Sequence, residues 1–144
     1  MFKDTCLYKQ VSNMASNLLF VMIKPDGVRR HLIGEIISRF ERKGFTISAM
    51  KMLLPSKEIV TDHYQEHKGK VFYDKLVNFI TSGLVVAMIM EGNIKVARAV
   101  VGTTTPWDAE RGTIRGDLAS SINENLVHCS DSLISAKREI GIWF

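Results

Sequence analysis

The chain has 144 residues and contains neither GxxxxGK(S/T) nor GxGxxG. The phosphate-cradling P-loop and the dinucleotide fingerprint are therefore both absent, which argues against a P-loop kinase and a Rossmann dehydrogenase. Cysteine is scarce as well: Cys6 and Cys129 are the only two. They form no metal-ligand spacing and nothing in the sequence supports their pairing, so a reducing compartment fits best. Long hydrophobic runs are missing. Leu18 to Ile23 is too brief for a spanning helix or a secretory core. There is no internal repeat, no low-complexity tract and no linker between Leu18 and Phe144. One domain over residues 18–144 is expected, with residues 1–17 an N-terminal extension outside it. Its first residues show no clear amphipathic stripe and no Arg, so a transit peptide has weak support, and Met14 is a second methionine near its end. No Lys/Arg block is denser than Arg29-Arg30, yet the net charge is +4 with pI near 9.2. Anionic partners follow from that charge, and both nucleoside polyphosphates and nucleic acid satisfy it.

The most informative segment that is present runs from Asn125 to Ser132, NLVHCSDS, with Glu139 eleven positions beyond His128. An imidazole attacks phosphorus when neutral, and its unperturbed pKa of about 6.5 leaves much of it neutral near pH 7 without a dedicated base. The resulting P–N bond is high in energy, so the phosphoryl group can move on to a second acceptor. A carboxylate such as Glu139 would accept a hydrogen bond from one ring nitrogen and leave the other's lone pair free. Against this stands the reading of His128 as a core histidine in an apolar run.

Phosphate binders come from elsewhere in the chain. Gly102 to Asp117, GTTTPWDAERGTIRGD, carries three Gly, four Thr, one Pro and two Arg with no helical or strand period. Hydroxyls, backbone N–H groups and forked guanidinium donors are the chemistry a polyphosphate needs. Arg98 adds a cation just upstream. Near the start, Lys24 ends an apolar run and is followed by Pro25-Asp26-Gly27, a turn that would hold the lysine as a point charge aimed into a crevice. A plain turn with a solvated lysine is the alternative.

Periodicity orders the rest. Leu18–Ile23 reads as a buried strand. Ile33, Ile36, Ile37 and Phe40 make a helical stripe closed by Gly44, and Phe45, Ile47 and Ala49 alternate as a strand. Ser56 opens a further helix, and Phe72, Leu76, Phe79 and Ile80 form another stripe. Val85 to Met90 is a continuous apolar strand, Leu126 to His128 a fourth, and Ser132 caps a helix to Ile140. The order is βαβ, a helical stretch, then βαβ. An α+β fold is expected: a ferredoxin-like split βαβ sandwich with four antiparallel strands and helices packed on one face.

Together these segments resemble the nucleoside diphosphate kinase family over about residues 18 to 144. The family's IKPDGV is Ile23 to Val28, its GTIRGD is Gly112 to Asp117, its N-x-x-H-x-SDS is Asn125 to Ser132, and its EI-x-x-WF ending is similar to Glu139 to Phe144. The resemblance implies that His128 carries the phosphoryl group in two ping-pong half-reactions that maintain NTP and dNTP pools, oriented by Glu139 with Ser130 in support. It implies that Lys24, Tyr64, Arg98, Thr104, Arg115 and Asn125 hold phosphates and sugar, and that the cations Lys24, Arg98 and Arg115 also act in the transition state. Phe72 is the implied stacking platform for the base, with Ile122 on its other side, a clamp indifferent to base edges. Mg²⁺ should arrive on the nucleotide phosphates without a carboxylate cage of its own, leaving Asp117 and Asp131 structural. Nucleoside di- and triphosphates are the implied partners, with nucleic acid a secondary one, no membrane, a homo-oligomer (hexamer or tetramer) and a cytoplasmic location.

Three departures from the family pattern stand out. Arg111 replaces the usual proline before Gly112 and could reach a phosphate or pair with Glu110. Cys129 stands where glycine is common, either a reactive thiol or a small buried side chain. Glu91 to Arg98 is about two residues short, which puts the register of Arg98 in question. One rival motif competes: His63-Tyr64-Gln65-Glu66-His67 matches the zinc-hydrolase pattern H-x-x-E-H, whose histidines share a face if one helix runs through them, with Glu139 as a third ligand.

Overall fold

Leu19, Val21 and Ile23 point to one side of the first strand, Phe20 and Met22 to the other, and all five are fully buried. A strand with no wet face must be covered on both sides. That requirement organises the fold, seen in a computed structural model that describes residues 17–144. Cys6, Met14 and, apart from Asn17, the expected extension lie outside the described residues.

In chain order the elements are β1 (Leu18–Ile23), α1 (Pro25–Arg29), α2 (Ile33–Arg42), β2 (Thr46–Leu53), α3 (Lys57–His63), a 3-10 turn over Gln65–His67, and α4 (Tyr73–Ile80). Then follow β3 (Val85–Glu91), α5 (Ile94–Val101), a 3-10 turn over Pro106–Asp108, α6 (Ile114–Leu118), β4 (Val127–Cys129) and α7 (Leu133–Trp143). The strands form one sheet in the order β2-β3-β1-β4, and every neighbouring pair is antiparallel. This is the split βαβ arrangement, with α2 and α5 as the crossovers.

The helices do not keep to one face. Ile36 and Phe40 of α2, Ala97 and Val101 of α5 and Ile114 of α6 pack with Leu19, Val21 and Ile23. Val60 of α3, Val77 and Ile80 of α4, and Ile140 and Trp143 of α7 pack with Phe20 and Met22. The expectation of a single helical layer is corrected by β1 and β3, whose continuous apolar runs leave no solvated side. The expected alternation of Phe45, Ile47 and Ala49 also breaks. A bulge between Ile47 and Ala49 changes the parity, so Ile47 joins the first layer and Ala49 the second.

Side-chain caps fix the helix starts. Ser56 accepts from the N–H of Ile59 at 3.2 Å, Thr113 from Gly116 at 3.0 Å and Ser132 from Ser135 at 3.1 Å. Gly44, at φ 93°, closes α2 as its position predicts. Two short helices defy periodicity: α1 occupies the expected Pro-Asp-Gly turn, and α6 lies inside the loop read as irregular. Helices of five residues are too short to show a stripe.

Candidate active site

His128 lies opposite Met22 in the β1–β4 ladder, and cross-strand partners share a face. Its ring therefore turns toward the second layer, while its neighbours Val127 and Cys129 join the first. There it meets Glu139 of α7, whose Oε1 lies 2.9 Å from Nε2. Burial, followed by the charges of Lys24, Arg115 and Arg98, lowers the pKa of His128 to about 3. The contact is thus a hydrogen bond from a neutral ring, not an ion pair. A carboxylate can only accept, so Nε2 carries the proton and the lone pair of Nδ1 stays free.

Glu139 is itself held. The Ser130 hydroxyl donates to its other oxygen at 2.5 Å and accepts from the N–H of Phe20 at 3.0 Å. Burial pushes the carboxyl of Glu139 up and the Ser130 hydrogen bond opposes that shift. Both Glu139 and Ser130 are buried, so a wrong orientation of either would strand a polar group without water.

A cavity of about 590 Å³ opens in front of His128. It is lined by Lys24, Tyr64, Phe72, Arg98, Thr104, Arg115, Ile122, Asn125 and Glu139 as well as His128. Ser130 lies behind this wall, bonded to Glu139. The residues expected to hold nucleotide and phosphoryl group are thereby brought to one place, although they come from α5, α6, β4, α7 and the connecting segments after β1, after α3, before α4 and on either side of α6. Phe72 and Ile122, both in the cavity lining, remain about half exposed.

Two of the cations, Lys24 and Arg115, are buried, and the third, Arg98, is exposed at the cavity wall. Nζ of Lys24 donates to Oδ1 of Asn125 at 2.7 Å, and burial, then Arg115, lowers its pKa to about 7. Arg115 donates to the carbonyls of Val127 at 2.7 Å, Gly102 at 3.2 Å and Asn125 at 3.3 Å. Arg98 reaches the carbonyl of Cys129 at 3.3 Å. α5 is capped by Asn93, and Arg98 on it lines the cavity. Asn125 also donates to the carbonyl of Thr104 at 3.3 Å, tying the threonine loop to β4.

The departures resolve individually. Asp117 accepts from the N–H of Gly112 at 2.8 Å and pairs with Arg39 at 2.7 Å, a structural role. Arg111 is exposed, is not among the residues lining the cavity and makes no ion pair with Glu110 among the described residues. Burial pushes the Cys129 thiol up to about 12, so it is a small buried side chain and not a thiolate. The zinc motif fails on geometry, because α3 ends at His63 and a separate 3-10 turn carries His67. His63, His128 and Glu139 do approach one another, with donor atoms within 4.8 Å. However, Trp143 donates to Nδ1 of His63 at 3.0 Å, which leaves the proton on Nε2 and no lone pair toward that group. His63 was visible in the sequence only through that motif. Its contact with His128, at a ring separation of 4.5 Å, comes from tertiary packing that no sequence pattern marks.

Comparisons with known proteins agree with this geometry. A family model described as nucleoside diphosphate kinase matches residues 18–144. A nucleoside diphosphate kinase from an Exiguobacterium species is 55% identical over 127 residues, covering 87% of this chain and 91% of the relative. Another, from a Synechococcus species, is 55% identical over 133 residues, covering 91% and 88%. Among solved structures, a family protein from Babesia bovis superposes with TM-score 0.86 at 47% identity, covering 89% of this chain and 88% of that one. The enzyme of Halobacterium salinarum in complex with CDP gives 0.87 at 42% identity, with coverage of 90% and 88%. A nucleophile-like imidazole at a cationic cavity, in a fold and sequence shared along nearly the whole length, leaves one conclusion: the chain belongs to the nucleoside diphosphate kinase family, phosphotransferases that act on nucleotides.

Proposed function

We propose that His128 is the residue that carries the phosphoryl group between two nucleotides. The observation that carries this reading is the split use of the ring: Nε2–H is engaged by Glu139 while Nδ1 has no hydrogen-bond partner among the described residues and the ring borders the cation-lined cavity. A base enters between Phe72 and Ile122, and the phosphates extend inward to Lys24, Arg98, Thr104, Arg115, Asn125 and Tyr64. Nδ1 then attacks the γ-phosphorus in line. The P–N bond forms as the bond to the departing diphosphate breaks, and the leaving oxygen takes the electron pair under the charge of Lys24 and Arg115. Nε2 keeps its proton, and Glu139 stabilises the positive charge that develops on the ring. A second diphosphate reverses the steps. CDP, found in the Halobacterium salinarum complex, is among the nucleotides this site would take.

Mg²⁺ fits as a companion of the nucleotide, neutralising phosphate charge. Glu139 is already committed to His128 and Ser130, and Asp117 to Arg39 and Gly112. Substrate oxygens and water are its expected main ligands, with Glu66, Glu124 and Asp131 the further carboxylates that line the cavity. Among the described residues no helix is long and apolar enough to cross a membrane, and a cytoplasmic role in balancing NTP and dNTP pools is the setting we assign. Residues 18–144 act as the catalytic unit. A homo-oligomer, hexamer or tetramer, is supported by the edge strand β2, which leaves Met50 and Met52 more than half exposed.

The test is incubation with γ-labelled ATP. An acid-labile, base-stable label is expected on the protein, removable by UDP or GDP and absent in His128→Asn. Lys24→Ala and Arg115→Ala should still label, at a much reduced rate. Parental exchange by His128→Asn would refute the assignment.

A further inference from the structure

Asp26 follows Lys24 by two residues, yet nothing in the catalytic scheme uses it. Its carboxyl is buried, Oδ2 accepts from the N–H of Leu126 at 3.0 Å, and Oδ1 has no hydrogen-bond partner of good geometry among the described residues, although the backbone N–H groups of Asp26 and Gly27 lie near the carboxyl. Burying a carboxylate with one oxygen unsatisfied is strongly unfavourable on its own. The residue it holds is also unusual. Leu126 has φ 75°, and the N–H of Val127 bonds back to the carbonyl of Asn125 at 2.9 Å, which together define the γ-turn of the rarer, more strained hand.

The turn is clamped on both sides. Asp26 takes the Leu126 N–H, and the backbone N–H of Lys24 donates to the Leu126 carbonyl at 2.8 Å. The two segments approach so closely that a Cβ on Gly27 would stand 3.1 Å from that carbonyl oxygen and 2.8 Å from Cγ2 of Ile23. The residues flanking Leu126 carry the acceptors of two cations. Asn125 receives Nζ of Lys24 through its side chain and Nε of Arg115 through its carbonyl, and the Val127 carbonyl receives Nη2 of Arg115.

We propose that Asp26 is a positioning residue for phosphoryl transfer: by holding the Leu126 N–H it locks the strained γ-turn whose flanking residues fix Lys24 and Arg115 beside His128. The proposal rests on the assignment of His128 and these cations in the preceding subsection. A second effect accompanies the first. Lys24 is faced by Asp26 from α1, Arg115 from α6, Asn125 before β4, His128 on β4 and His63 at the end of α3. Arg115 favours loss of its proton and Asp26 favours keeping it. Asp26→Asn retains an acceptor for Leu126 but loses that charge, so Lys24 deprotonates at lower pH.

The experiment compares Asp26→Ala and Asp26→Asn with the parent by steady-state kinetics, pH profile and hydrogen exchange of the Leu126 amide. In Asp26→Ala, kcat should fall on the order of 100-fold, as for a reactive group displaced by about an ångström, and the Leu126 amide should lose protection. Asp26→Asn should keep that protection and most of kcat while the alkaline limb of kcat/KM moves to lower pH. A folded Asp26→Ala with parental kcat, or with Leu126 as protected as in the parent, overturns the proposal. If the alanine variant does not fold, an asparagine variant that loses protection of the Leu126 amide yet keeps the parental kcat overturns it instead. Labelling of the parent at His128 tests the underlying assignment separately, because it does not depend on either Asp26 variant.

Discussion

His128 and His63 are both kept neutral by burial, and this has an energetic consequence beyond catalysis. The pKa of His128 falls to about 3 and that of His63 lies well below its ordinary value, whereas in the unfolded chain each titrates at about 6.5. Below that pH the unfolded state binds protons that the folded state refuses, so stability decreases as pH drops from about 6.5 toward 3. Urea midpoints should therefore fall over this range, and less steeply in His128→Asn, which lacks one of the two groups. Ring ¹⁵N shifts of His128 should show a neutral imidazole from about pH 5 to 8, and a midpoint near 6.5 would contradict the burial argument.

At the scale of elements, short helices place the charged groups. The five residues of α6 follow the N-cap Thr113, whose hydroxyl accepts from the N–H of Gly116 at 3.0 Å and donates to the carbonyl of Glu110 at 2.7 Å. A helix this short has little cooperativity of its own and depends on its cap. Thr113→Ala should lower stability by about 1 kcal/mol, seen as a drop in Tm of roughly 2–4 °C. Turnover should suffer more than that drop alone explains, because Arg115 is in the first turn of α6. Comparing kcat with Tm for this variant checks the coupling. The same reasoning explains the failure of H-x-x-E-H: one continuous helix would have put His63 and His67 on a shared face, but α3 stops after His63, which turns inward to Trp143.

Across the whole molecule, the sheet brings distant segments to one wall and leaves β2 at its edge. Replacing both Met50 and Met52 by Lys should shift the proposed homo-oligomer to smaller species in sedimentation while the isolated fold persists, because exposed charge on an edge strand disfavours pairing without removing core contacts. Much of this architecture was legible beforehand. The apolar run of β1, the stripe of α2 closed by Gly44, and the caps Ser56 and Ser132 are local signals, set by backbone preference and by burial period within a few residues. The strings around Lys24, Arg115 and His128 were equally readable, since their chemistry is carried by residue type and spacing. Other features had no such signal. The second helical layer, the bulge after Ile47, the meeting of His63 with His128 and the clasp of Asp26 on Leu126 all join residues far apart in the chain. The sequence alone determined the four strands and the longer helices, and which side chains have the chemistry for phosphoryl transfer. Only the tertiary structure decided their protonation, their hydrogen-bond partners and which face of the sheet they share, because desolvation and contact depend on what long-range packing places around each group.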